Sequence, residues 1–210
     1  MSSGRRGSLR TMRLSTTMFL TLDGVYQAPG GREEDTDDGF THGGWFGPHF
    51  DMQFGEWIDG VFERADAFLL GRRTYEIFAG YWPNESEGNV AVKLNSLPKY
   101  VATSTLTDLD WEGAEVLQGD LAQAVNELKA RDGGELQVHG SGALIRWLLE
   151  HDLVDEMTLI VVPVIVGQGA RLFAEAGPDV ALDLLESRVD SKGVTTQVFR
   201  PAGRPEYAAA

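Results

Sequence analysis

Phe68-Leu69-Leu70-Gly71-Arg72-Arg73-Thr74 reads as a buried strand that runs directly into a helix. Consecutive large apolar residues suit a strand covered on both faces. Gly71 lets the backbone approach a ligand closely, and the free N–H groups and dipole of a helix start favour an anion there. Arg72 and Arg73 add planar forks matched to phosphate oxygens, and Thr74 adds a hydroxyl. Val138-His139-Gly140-Ser141-Gly142 repeats the pattern without the cations. Ligands of open α/β sheets collect where strands end and helices begin. Either turn alone could be a tight connection with solvent-facing arginines; the pair on one sheet points to a bound phosphate.

Working outward, Arg13 to Leu22 alternates as a strand and stops at the turn Asp23-Gly24. Val25 to Gly44 is a long, polar loop holding Glu33, Glu34, Asp35, Asp37 and Asp38 with Arg32 as its one cation; loops of this kind are functional lids or lack order. Phe50, Phe54, Trp57, Ile58, Val61 and Phe62 fall at helical spacing, so a helix is expected over Pro48 to Glu63. A second helix follows Gly71 through Ala79, and a short one ends near Leu97. Lys99 to Thr103 and Ala114 to Leu117 read as strands. Leu121 to Ala130 reads as a helix with Asp120 as its N-cap. Leu136 to His139 is a buried strand, Ala143 to Glu150 a helix, and Glu156 to Val166 a long core strand. Leu182 to Asp190 and Val194 to Arg200 form a terminal hairpin about Ser191-Lys192-Gly193. Strands alternating with helices imply a mostly parallel sheet covered on both faces, here with an antiparallel edge.

The chain has 210 residues, enough for one well-buried core. Residues 1–11 read as a lead-in without fixed structure, 12–201 as a single domain and 202–210 as a tail. With no cysteine there is no thiolate metal site, disulfide or cysteine nucleophile, which fits a reducing cytoplasm. The net charge of −14 disfavours nucleic acid and anionic membrane surfaces. The longest apolar run, Leu159 to Val166, is too short to span a bilayer. No His, Asp and Glu cluster has metal-ligand spacing. Gly140-Ser141-Gly142 lacks the third glycine of the Rossmann fingerprint, and no Gly-Lys-Ser/Thr phosphate loop occurs. Ser141 is outside a nucleophile-elbow context, which disfavours a serine hydrolase.

The order of segments resembles the dihydrofolate-reductase-like superfamily, and within it the reductase domain of the bifunctional riboflavin-biosynthesis deaminase–reductase and its stand-alone relatives. The matching residues are Leu22-Asp23-Gly24, Leu70 to Glu76, Lys99 to Leu106, Gly140-Ser141-Gly142, Leu153 to Glu156 and Pro163 to Phe173. The resemblance covers roughly Arg13 to Phe199. It implies an α/β three-layer fold, with a mostly parallel central sheet, helices on both faces and a C-terminal antiparallel hairpin. It also implies NADPH as cofactor, with Gly71, Arg72, Arg73, Thr74, Gly140, Ser141 and Gly142 on the pyrophosphate and adenosine side. Ser104 and Thr105 would meet the 2′-phosphate, and Val166, Gly167 and Gly169 the nicotinamide end. A homodimer is expected on the same ground.

On the substrate side the reading leaves alternatives. Asp23 either orients substrate or shapes its turn. Asp51 is either catalytic or a charge placed at a helix start. Trp45 and Trp82 sit in loops and are the better aromatic ligand contacts; His139 reads as a satisfied buried residue. The expected reaction is hydride transfer to a C=N or C=O bond of a small heterocycle or ribosylaminopyrimidine-like compound. The acidic loop departs from the basic one that a ribose phosphate requires. The alternatives are a dihydrofolate reductase, which needs a carboxylate facing the pterin, and a nucleotide-binding or regulatory protein of the same fold without turnover.

Overall fold

The computed structural model describes residues 11–173 and 177–208. The lead-in proposed for residues 1–11 lies outside them except for Thr11, which bridges to Asp132 while the Met12 amide bonds the Arg131 carbonyl. The strands are β1 (Arg13–Thr21), β2 (Ala65–Gly71), β3 (Lys99–Ala102), β4 (Ala114–Val116), β5 (Glu135–His139), β6 (Glu156–Val162), β7 (Leu182–Val189) and β8 (Thr195–Pro201). They form one eight-stranded sheet in the order β4-β3-β2-β5-β1-β6-β8-β7. Pairing is parallel from β4 through β6, and β8 and β7 close the edge antiparallel. The helices are α1 (Met52–Glu63), α2 (Arg72–Tyr81), α3 (Asn89–Ser96), α4 (Leu121–Lys129) and α5 (Gly142–Glu150).

Period-two alternation divides each central strand between two layers. Leu14, Met18, Leu69, Leu136 and Val138 face α4 and α5, where Val125, Leu128, Ile145 and Leu148 are buried. On the opposite face Phe68, Leu70 and Val101 meet Phe62 of α1 and Leu94 of α3, and Ile160 and Val162 meet Phe46 and Phe54. The three-layer architecture expected from the sequence is therefore the one observed, including the C-terminal hairpin. Its turn is held by the Asp190 carboxylate, which accepts from the Lys192 and Val194 amides.

Two expected boundaries shift by four residues, each for a local reason. The helix expected from Pro48 starts at Met52, because Asp51 is extended and its carboxylate caps the Phe54 amide at 2.8 Å; Pro48 sits in a separate 3-10 turn. The strand expected to reach Val166 ends at Val162, where Pro163 removes a ladder donor. The loop from Val25 to Gly44 is tied down by one side chain. The Gln27 amide donates to Asp35 Oδ1 and the Asp37 carbonyl and accepts from the Ala170 amide, while Phe40 is buried beneath. The tail does not leave the hairpin at Pro201: Ala181 and Ala202–Gly203 exchange backbone hydrogen bonds. Residues 209–210 lie outside the described ones.

Candidate functional site

Parallel pairing of β2 with β5 brings their carboxyl ends side by side, and the two glycine turns meet there. At the first, α2 begins straight from β2 with Gly71 as its N-cap. At the second, Gly140 (φ 83°) and Ser141 (φ 62°) take two successive left-handed conformations before α5 starts at Gly142. A non-glycine residue there carries real backbone strain. The turns are in contact: a side chain at Gly71 would run into the Ser141 hydroxymethyl group, and a Cβ on Gly140 would lie 3.5 Å from Thr74 Oγ1. The backbone of Gly142 is covered by the Tyr26 ring, leaving no space for a Cβ.

Beside these turns a cavity of about 410 Å³ opens between the sheet and helices α1 and α2. Phe19, Phe54, Ile58, Phe62, Phe78 and Trp82 make it largely aromatic. Thr74, Gly140, Ser141 and Gly142 supply one polar wall, and Glu34, Asp35 and Arg73 supply another. The arrangement can hold a flat apolar ring next to helix N-termini, a combination suited to a ligand with one apolar and one anionic end.

The cations of the first turn are already engaged. Arg72 pairs with Glu76 at 3.0 Å along the same helix. Arg73 is gripped by the acidic loop, with Asp35 at 2.7 Å and Asp37 at 2.6 Å, while its Nε is buried without a partner. Burial opposes ionisation of Asp35, but hydrogen bonds led by the Arg73 guanidinium hold its carboxyl below the ordinary range. The positive charge of this turn is thus neutralised within the fold.

The remaining expected site residues divide. Trp82 lines the cavity. Trp45 is core instead, buried with its indole N–H donating to the Gln27 carbonyl at 2.8 Å. Asp51 is the helix cap described above and also accepts from the Ser191 hydroxyl at 2.7 Å, away from the cavity-lining residues. Asp23 shapes its turn. It accepts from the Thr21 hydroxyl at 2.6 Å and the Gly167 amide at 3.0 Å, and pairs with Arg171 at 3.2 Å. These bonds, Thr21 foremost, hold its carboxyl at about 2, so it carries no proton to donate near neutrality. The amides of Val166 and Gly167 are spent on Asp23, and Gly169 (φ 105°) packs its backbone on Phe40 and Val25. Ser104 and Thr105 lie exposed just past β3, in a turn capped by the Thr103 hydroxyl, and do not line the cavity.

Residues 13–196 match the RibD C-terminal domain. The chain belongs to the RibD C-terminal domain family. Among curated proteins it is similar to the uncharacterized protein YyaP of Bacillus subtilis, 26% identical over 196 residues that span 91% of this chain and 96% of that protein. Among solved structures it is similar to a candidate riboflavin biosynthesis protein of Shewanella sp. PV-4. That likeness has a TM-score of 0.67 at 20% identity and covers 91% of this chain and 99% of the other. A pyrimidine reductase-like protein of Corynebacterium diphtheriae follows at TM-score 0.64 and 16% identity, covering 91% and 92%. At these identities the structural likeness bears on the fold.

Within this RibD-type domain, sequence reasoning missed a polar file on the cavity side of β5. Glu135, Gln137 and His139 alternate with Leu136 and Val138, so all three polar residues share one face. His139 Nε2 lies 2.8 Å from Gln137 Oε1. The Gln137 amide donates to Glu135 Oε2 at 2.8 Å and to the Val61 carbonyl at 2.7 Å. Arg13 (2.6 Å) and Arg64 (2.9 Å) meet Glu135 Oε1. Burial pushes the His139 imidazole down to about 3, so the ring is neutral. The signal was the period-two polar triplet, hidden because the strand was read from Leu136 and so left out Glu135.

Proposed function

We propose that the chain is an NADPH-dependent reductase of the RibD C-terminal type, delivering hydride to a C=N or C=O bond of a small heterocyclic or ribosylaminopyrimidine-like substrate. The observation that carries this is the contact between the Gly71–Thr74 and Gly140–Gly142 turns beside an apolar cavity. Two helix starts on adjacent strands direct N–H groups to one place, as a pyrophosphate requires. The Ser141 hydroxyl makes no capping bond to α5, which leaves it for a ligand. NADPH supplies the hydride when bound; the protein's part is positioning and exclusion of water. Gly140, Ser141 and Gly142 would hold the phosphates, Thr74 and Arg73 would flank them, and the aromatic cavity would take the reacting ring. Cytoplasmic location and a homodimer belong to the same reading; the exposed outer strand β7, with Leu184 and Leu185 open, is the face that a second copy would cover.

A dihydrofolate reductase fits less well, because α1 presents Phe54, Ile58 and Phe62 to the cavity and no carboxylate. A nucleotide-binding protein without turnover is favoured by one feature: the His139 imidazole, held at about 3, and the Asp35 carboxyl, held below its usual range, line the cavity without a proton to donate near neutrality. Titration with NADPH and with NADH, followed by tryptophan fluorescence, tests the reading. Saturable binding that weakens in Arg73→Ala and is blocked in Ser141→Trp is expected. Absence of binding by the parent protein removes it. Equal affinity for NADH removes the 2′-phosphate role of Ser104 and Thr105, and binding without oxidation across heterocyclic substrates selects the non-catalytic alternative.

A further inference from the structure

The hydrogens of the β5 file are dictated from one end to the other. Glu135 is an ionised acceptor: burial alone would raise its carboxyl, but hydrogen bonds from Gln137, Arg13 and Arg64 hold it below the usual range. The Gln137 nitrogen lies between two atoms that can only accept, Glu135 Oε2 and the Val61 carbonyl, which settles which end of that amide is NH2. Its oxygen therefore faces His139, and His139 Nε2 must carry the proton that donates to it. Phe62 stacks on the imidazole at 4.3 Å between centroids and Phe68 packs at 5.9 Å, and with the Gln137 bond they hold the ring in this orientation. A neutral imidazole protonated at Nε2 has a bare lone pair at Nδ1. That nitrogen has no hydrogen-bond partner among the described residues. His139 is 8% exposed, and it lines the cavity.

The geometry points to His139 as a hydrogen-bond acceptor of the cavity: its Nδ1 lone pair, fixed by the Gln137–Glu135 chain, selects an uncharged flat ring that offers an N–H donor. This deepens the proposed reading and rests on it for the cavity being the ligand site. A carboxylate or phosphate placed there would meet a lone pair, with no proton available to bridge them. The anionic part of any ligand is thereby assigned to the helix starts, and its neutral, donor-bearing ring to His139. Gln137 and Glu135 act through His139 as positioning residues.

The matched probes are 2-pyridone, a flat neutral ring with one N–H, and N-methyl-2-pyridone, in which that donor is gone. Binding is read by ligand-observed NMR on the full chain. The parent should prefer 2-pyridone by about tenfold, the effect of leaving one buried acceptor unsatisfied, and His139→Phe should bind both alike. A parent that binds neither probe, or both equally, overturns the inference. So does a preference that survives in a folded His139→Phe protein. Nitrogen-15 spectra of the parent's imidazoles provide a measurement that needs no variant: the proton should sit on Nε2 of His139 at neutral pH, and finding it on Nδ1 refutes the proposal. NADPH titrated in the same samples separates the two readings. Lost pyridone preference with NADPH still bound removes this inference alone; preference retained without NADPH binding removes the cofactor reading alone.

Discussion

The two helix starts at the site solve one problem by opposite means. The turn before α2 is charged and relaxed: Gly71 is an ordinary extended N-cap, followed by two arginines that Glu76, Asp35 and Asp37 already hold. The turn before α5 has no charged side chain, since His139 is neutral, and stores strain in two left-handed residues. In a chain of net charge −14, loose arginines would draw the protein's own carboxylates. Backbone N–H groups cannot be neutralised in that way. On the proposed reading, the contrast assigns capacity for an anion chiefly to the strained, uncharged turn, with the arginines as a held reserve beside it.

The largest expected effect concerns the strained turn and its histidine. His139 ordinarily takes up a proton near 6.5 but in the fold only near 3. Between those values the unfolded chain binds the proton and the folded chain does not, so acidification favours unfolding. Each pH unit between about 6.5 and about 3 should cost on the order of 1 kcal/mol. Denaturant melts above the range where Asp23 titrates check this, and in His139→Phe the slope should flatten. An unchanged slope in that variant would mean that other groups carry the acid sensitivity.

Next in size is the contact between the turns. Gly71→Ala places a methyl group against the Ser141 side chain and should cost about 1–3 kcal/mol, as overpacking does. Ser141→Gly removes both the obstacle and the left-handed strain, so the double variant should recover most of that loss. Additive effects in the cycle would mean that the turns are not in contact.

Smaller again is Asp51→Ala, which removes a helix cap for about 1 kcal/mol and should leave NADPH binding unchanged. A fall in affinity would return Asp51 to the site.

How much of this was legible in sequence follows from range. Strands and helices came through because their periodicities are local, and both glycine turns were visible for the same reason. Helix and strand ends moved where one side chain decided them, as at Asp51 and Pro163. The state of Arg73 was hidden because its partners lie on a loop that looked unstructured, and that loop is ordered by Gln27 reaching to residue 170. Trp45 and Trp82 are both loop tryptophans by pattern, and only the fold separates a core indole from a cavity wall. The polar file on β5 was concealed by its own burial: Glu135 and Gln137 have no reason to be inside until Arg13, Arg64 and Val61 are seen around them.

The smallest effect tests the reserve of charge directly. Asp37 is 59% exposed in its side chain and Arg73 38%, so their pair is worth little to stability. Asp37→Asn should hardly move the melting temperature. It should nevertheless leave Arg73 with one acidic partner in place of two and raise NADPH affinity by roughly two- to fivefold at low salt, a gain that fades as added ions screen it. If the affinity falls instead, Asp37 is helping to aim Arg73 at the ligand. The acidic loop would then be part of the cradle, and the division between a charged reserve and an uncharged working turn would have to be redrawn.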